Sequence, residues 1–221
     1  MPADIQAVFF DLDGTLADTA PDLASALNRV RAEDGKPAVP LDELRPYTSQ
    51  GVRGLIGAAY GWTSDHADYP AIADRMLAHY AANICDQSRL FPGVPEMLDA
   101  LEARGFAWGV VTNKHARFTQ PLVRALALDA RARSIVSGDT AALPKPAPDP
   151  LLHAAREAGV APAASLYIGD DPRDVEAARA AGMRSLAVTW GYHGAGLPPE
   201  EWGADGVIHH PHEVLDWLGT H

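Results

Sequence analysis

A chain of 221 residues is long enough for one buried core, or for a core with a smaller companion domain. It is 47% hydrophobic and 21% charged, as globular proteins are, and its net charge of −11 argues against nucleic acid or an anionic membrane as the main partner. The single cysteine, Cys85, excludes an intrachain disulfide and a cysteine metal cage, and reads as a small buried apolar residue.

The amino-terminal stretch MPADIQAVFF has no basic region, and its apolar run is too short for a secretory signal or a membrane span. Cytoplasmic residence is the expectation. Within it, IQAVFF reads as a buried strand, because a short apolar run ends there in turn chemistry. The run closes with Asp11 and Asp13, one residue apart and just ahead of Gly14. Carboxylates repel each other and are costly to bury, so the pair reads either as an acidic strand end with its turn or as two carboxylates with something cationic between them.

Residues 18–88 show helical periodicity and no convincing strand. Leu23, Leu27 and Val30 share one stripe, and Ile72, Met76, Tyr80 and Ile84 another, with GKPAVP and GWTSDHADYP as breakers. This predicts a small helical cap domain over residues 18–88, inserted into a core of residues 1–17 and 89–221. The core resumes with VPEMLDALEARG, a helix with Pro95 in its first turn and Gly105 just past its end. FAWGVVTNK, ARSIVSGD, SLYIGDD, RSLAVTW and DGVIHH read as further strands. DPLLHAAREAG reads as a helix with Asp149 as N-cap, Pro150 at the first helical position and Gly159 as terminator. Alternating strands and helices predict an α/β fold: a Rossmann-like open parallel sheet flanked by helices, carrying the inserted cap.

Ligands of such sheets bind beyond the carboxyl ends of the strands. The polar residues there are few: Asp11 and Asp13, then Thr112 and Asn113 after WGVV, Lys145 in LPKPAPDP, and Asp170 with Asp174 four residues on. Each alone has a structural explanation, as turn residue, loop charge or helix N-terminal acid. Together they supply what phosphoryl transfer needs: carboxylates for Mg²⁺, a cation, and donors for phosphate oxygens. Gly14 suits a sharp turn that brings backbone N–H groups toward a phosphate.

DLDGT after a strand, VVTN, a downstream KP lysine and GDDPRD, in that order, resemble the four motifs of the haloacid-dehalogenase superfamily. The resemblance runs essentially end to end, and the insert corresponds to that superfamily's helical cap. It implies Asp11 as the nucleophile that forms an aspartyl-phosphate, and Asp13 as acid to the leaving alkoxide and then base to water. It implies Mg²⁺ held by Asp11, the Asp13 carbonyl and Asp170, with Asp174 in support. Thr112 and the Asn113 N–H would bind phosphoryl oxygens, and Lys145 would neutralise charge and orient Asp11. A carboxylate at Asp13 favours phosphate esters, since dehalogenases and phosphonate hydrolases of the superfamily generally lack it. No GxxxxGK[ST] loop occurs, which argues against a P-loop nucleotide hydrolase.

The reading is therefore a phosphatase of small phosphate esters; the alternatives are a phosphomutase or phosphotransferase on the same scaffold and a non-catalytic binding protein. VRAEDGKPAV, CDQSRLFPGVPEML, WGVVTNKHARF and GYHGAGLPPEEWGADGVIHHPHEVL resemble phosphoglycolate phosphatases, and especially bacterial N-acetylmuramic acid 6-phosphate phosphatases. The partners implied are a small-molecule substrate carrying a carboxylate, no nucleic acid and no membrane, in a monomer or homodimer. Substrate choice is expected in the cap, with Arg53 or a neighbour in YTSQGVRG touching the leaving group and His115 near the phosphate. His209, His210 and His212 read as surface residues, because neighbours on a strand face opposite ways and Pro211 interrupts them. The cap is expected to move about linkers near residues 17–19 and 88–91.

Overall fold

The computed structural model describes residues 4–194 and 196–218. Six parallel strands form one sheet: β1 (Ala7–Phe10), β4 (Ala107–Val111), β5 (Ser134–Val136), β6 (Ser165–Gly169), β7 (Arg184–Val188) and β8 (Gly206–Ile208), in the order β5-β4-β1-β6-β7-β8. Every strand predicted from its apolar run is present. β1 is central and its side chains alternate between faces. Val8 and Phe10 enter a core with Leu98, Trp108 and Leu186, while Ala7 and Phe9 enter another with Leu151, Ala155 and Ala178.

The covering helices are α5 (Val94–Ala103), α6 (Ala116–Ala125), α7 (Asp149–Ala158) and α8 (Pro172–Ala181). The first turn of α7 differs from expectation: Pro148, not Asp149, is the N-cap, and Asp149 opens the helix without a side-chain cap bond. Pro148 already has helical dihedrals, so the helix begins one residue earlier, and Asp149 acts on its dipole.

Between β1 and α5 the chain makes α1 (Ala20–Glu33), α2 (Leu41–Leu44), a 3₁₀ turn at Arg45–Gln50, α3 (Gly51–Tyr60) and α4 (Tyr69–Ala82). These helices share their own core of Leu23, Leu27, Val30, Leu55, Ile56, Ile72, Met76 and Tyr80. Ile84, placed on the second stripe, lies past the end of α4 but packs against the same cluster. The two linkers form a small antiparallel ribbon that the helical pattern did not reveal, β2 (Ala17–Asp18) with β3 (Arg89–Leu90). Buried Asp22 at the start of α1 ties the return linker down by accepting from the Gln87 and Ser88 N–H groups and the Ser88 hydroxyl. Cys85 is half-buried, and burial raises its thiol pKa. Among the described residues, no helix is long and apolar enough to cross a membrane.

Candidate active site

Register places the chemistry. Phe10 pairs with Val110 on β4 and with Ile168 on β6, so Asp11, Thr112 and Asp170 leave neighbouring strands at one rim. The turn after Asp11 is tight: Leu12 C=O accepts from the N–H groups of Leu16 and Ala17. Gly14 has φ +88°, and a Cβ there would lie 2.1 Å from Asp170 Oδ2. Gly191 presses on the other side of the same aspartate, where a Cβ would lie 2.2 Å from the Asp170 Cβ. Backbone thus encloses Asp170, which is 1% exposed. Its Oδ1 accepts from Thr15 Oγ1 at 3.1 Å, and its Oδ2 from the Tyr192 N–H at 2.8 Å and Ser49 Oγ at 3.1 Å.

Lys145 is the buried cation. Its Nζ lies 3.0 Å from Asp11 Oδ1 and donates to Asp174 Oδ1 at 2.7 Å, Tyr167 OH at 2.8 Å and Val111 C=O at 3.1 Å. Burial alone would lower its pKa, but Asp11 and Asp174 hold it above the ordinary lysine value. The loop that carries Lys145 is clamped by the Asn113 side chain, which accepts from Lys145 N–H and donates to its C=O, both at 2.9 Å. Thr112 is buried, and its hydroxyl accepts from the Lys114 N–H.

Asp11, Asp170 and Asp174 each offer an oxygen within 4.8 Å of the others, Asp11 from the end of β1, Asp170 from the turn after β6 and Asp174 from the first turn of α8. Burial raises the Asp11 pKa to about 6, against Lys145 and with help from Asp174 and Asp13. Burial, then Asp11 and Asp174, push Asp170 well above the carboxylate range. Asp11 Oδ1 is buried and has Lys145 Nζ at 3.0 Å as its ion-pair partner. Three carboxylates against one lysine leave excess negative charge. Oxygen-only donors that outnumber the one lysine facing them suit a hard divalent cation such as Mg²⁺. Asp174 is occupied on both oxygens, since Lys145 and Tyr167 take its Oδ1 and the Asp171 N–H takes its Oδ2. It holds Lys145 in place.

Around this floor lies a cavity of about 310 Å³. Asp13 lies on its wall, accepting at Oδ1 from Lys114 Nζ at 2.7 Å and from the Thr19 hydroxyl. Arg173 also lines it, paired with Asp171 and donating to the Ser49 C=O, so a core side chain holds the cap's 3₁₀ turn. The far wall is apolar: Leu23, Val52, Leu77, Tyr80 and Phe118. Of the predicted residues, Asp11, Asp13, Thr112, Asn113, Lys145 and Asp174 line the cavity, with Gly14 and Asp170 directly behind. His115 lines its mouth, 66% exposed.

Arg53 is not brought there. It is exposed and lines a separate recess with Tyr47, Gly57 and Trp62; the neighbours that reach the cavity are Thr48, Ser49, Gln50, Gly51 and Val52. His209, His210 and His212 are all exposed. Sequence reasoning passed over Lys114, Arg173 and Tyr192. The first two sit inside motifs already quoted, VVTNK and GDDPRD, and position alone could have flagged them. Tyr192 carried no local signal, yet its hydroxyl accepts from the Thr19 and Ala20 N–H groups and donates to Asp18, holding the cap's first linker.

The sequence profile of the haloacid dehalogenase-like hydrolases matches residues 8–188. The chain belongs to that family. It is 40% identical over 214 residues to the N-acetylmuramic acid 6-phosphate phosphatase of Pseudomonas aeruginosa, spanning 97% of this chain and 95% of the relative. It is 42% identical over 211 residues to a phosphoglycolate phosphatase of Xanthomonas campestris, spanning 96% and 95%. A crystal structure of a predicted phosphoglycolate phosphatase from Haemophilus somnus superposes with a TM-score of 0.84 at 28% identity, covering 96% of this chain and 97% of that one. The chain is accordingly a hydrolase of the haloacid dehalogenase type, with phosphatases among its relatives.

Proposed function

We propose that the protein is a Mg²⁺-dependent phosphomonoesterase that works through Asp11. The observation that carries this is the Asp11 carboxylate: it is set at the end of the central strand, faces buried Lys145 at 3.0 Å, and converges with Asp170 and Asp174. An Asp11 oxygen attacks phosphorus and the bond from phosphorus to the ester oxygen breaks, leaving the phosphoryl group on Asp11. Asp13 gives its proton to the departing alkoxide. Asp13 then takes a proton from water, which attacks the aspartyl-phosphate, releases inorganic phosphate and restores Asp11. Thr112 Oγ1 and the Asn113 N–H would hold phosphoryl oxygens, and Lys145 offsets charge on Asp11. Asp11, Asp170 and the Asp13 carbonyl, with Asp174 behind, would hold Mg²⁺, which supplies Lewis-acid neutralisation of the phosphoryl charge.

For the substrate we infer a small anionic phosphate ester, N-acetylmuramic acid 6-phosphate ahead of 2-phosphoglycolate. Relatives of both names match almost equally well, so the cavity is the better guide. A two-carbon acid would sit on the polar floor and leave the wall of Leu23, Val52, Leu77 and Phe118 bare; a sugar with acetyl and lactyl groups covers it. The test is Mg²⁺-dependent phosphate release from the two esters side by side, with D11N as control. The reading predicts a higher kcat/KM for the sugar and no release by D11N. Isomer formation in place of phosphate release would favour a phosphomutase, and activity surviving D11N would sink the mechanism.

A further inference from the structure

The cations around the cavity differ in what they have left to give. Lys145 is surrounded by four oxygen atoms: Asp11, Asp174, Tyr167 and the Val111 carbonyl. Arg173 commits Nε and Nη2 to Asp171 and Ser49 and keeps Nη1, but among the described residues it makes no bond to Asp13. His115 stands at the mouth, 3.5 Å from Asp139. Lys114 commits one ammonium N–H to Asp13 Oδ1 at 2.7 Å and a second can meet the Tyr80 hydroxyl, and an ammonium carries three donors. It flanks the Tyr80 ring, 4.9 Å from the centroid, which shields it from bulk water. Burial opposes its charge, yet Asp13 and Tyr80 together hold its pKa above the ordinary lysine value.

Position gives the third donor a use. A leaving oxygen that takes its proton from Asp13 must come within about 2.6–3.2 Å of that carboxylate. Lys114 touches the same carboxylate, so the first atoms of the alcohol beyond the ester carbon lie against its ammonium. Farther out the wall is apolar, and Arg53, the cation expected to read the leaving group, faces another recess.

We propose that Lys114 is the leaving-group-binding residue, its spare N–H holding an oxygen acceptor carried on the carbon next to the ester carbon. This rests on the phosphatase reading above. In 2-phosphoglycolate that acceptor is a carboxylate, and in N-acetylmuramic acid 6-phosphate it is the ring oxygen, so one cation serves both.

The simplest matched probes are 2-phosphoglycolate and ethyl phosphate, which differ by a carboxylate in place of a methyl group. Calorimetry on D11N, which binds without turnover, reads affinity free of any effect on proton transfer by Asp13. D11N should bind 2-phosphoglycolate roughly ten- to hundredfold more tightly than ethyl phosphate, the range for a hydrogen bond to a charged group. Adding Lys114→Met should abolish that preference, and Lys114→Arg should restore part of it. An equal loss for both ligands would show that Lys114 only orients Asp13 and would overturn the proposal, as would an undiminished preference. If circular dichroism shows the methionine variant unfolded, Lys114→Gln takes its place in the same comparison. Turnover by D11N would overturn the phosphatase reading instead, a separate outcome.

Discussion

Replacing Asp11 by asparagine should stabilise the metal-free protein while abolishing its activity. Asp11 titrates at about 6 in the fold against an ordinary 3.8, because burial and the neighbouring carboxylates outweigh Lys145. At ~1.36 kcal/mol per pH unit, its charge costs the fold about 3 kcal/mol at neutral pH. The sign follows from proton counts. Between pH 3.8 and about 6 the folded chain keeps a proton that the unfolded chain has released, so wild-type stability falls as pH rises through that window. Asparagine has no proton to lose. The advantage of D11N should therefore be small near pH 4, grow through pH 6 and level off above it. For a chain of this size about 3 kcal/mol corresponds to a rise in Tm of roughly 6–12 °C. Thermal unfolding in EDTA at several pH values measures it. Adding Mg²⁺ should narrow the gap, because only the wild type then gains a counter-charge for its nucleophile. An advantage of equal size at pH 4 and pH 7.5, or a D11N protein less stable than wild type in EDTA at pH 7.5, would refute the account.

Two further substitutions test how the cap is built. Arg53→Ala should leave kcat and KM within about twofold of wild type on either ester, as surface changes away from such sites do; a large rise in KM would return Arg53 to the substrate. Tyr192→Phe removes the acceptor of two linker N–H groups and the donor to Asp18 but keeps the main-chain N–H on Asp170. It should destabilise the protein by about 1–3 kcal/mol and speed hydrogen exchange at the Thr19 and Ala20 amides, while Mg²⁺ affinity is retained. Unchanged exchange at those amides would remove Tyr192 from the linker.

The core was legible because its signals are local and repeat. Each strand is a short apolar run that stops at a polar residue, and parallel register then does the assembling. Once Phe10 lies beside Val110 and Ile168, Asp11, Thr112 and Asp170 must meet. Contacts made by docking were not legible. Lys114 reaches Asp13 across 101 positions, Ser49 reaches Asp170 across 121, and Tyr192 reaches the first linker across more than 170. No periodicity encodes these, because they depend on where a whole helical unit comes to rest. Arg53 shows how little it takes to miss. Gln50, Gly51 and Val52 line the cavity, but at about 3.6 residues per turn the next side chain of α3 has already swung onto another face. A motif tolerates no such slip, because its residues are fixed to a strand end; a cap residue one position along a helix changes sides. The carboxylate cluster is therefore written in the strand ends, and on the proposed reading substrate preference lies in the few atoms that docking brings within reach of Asp13.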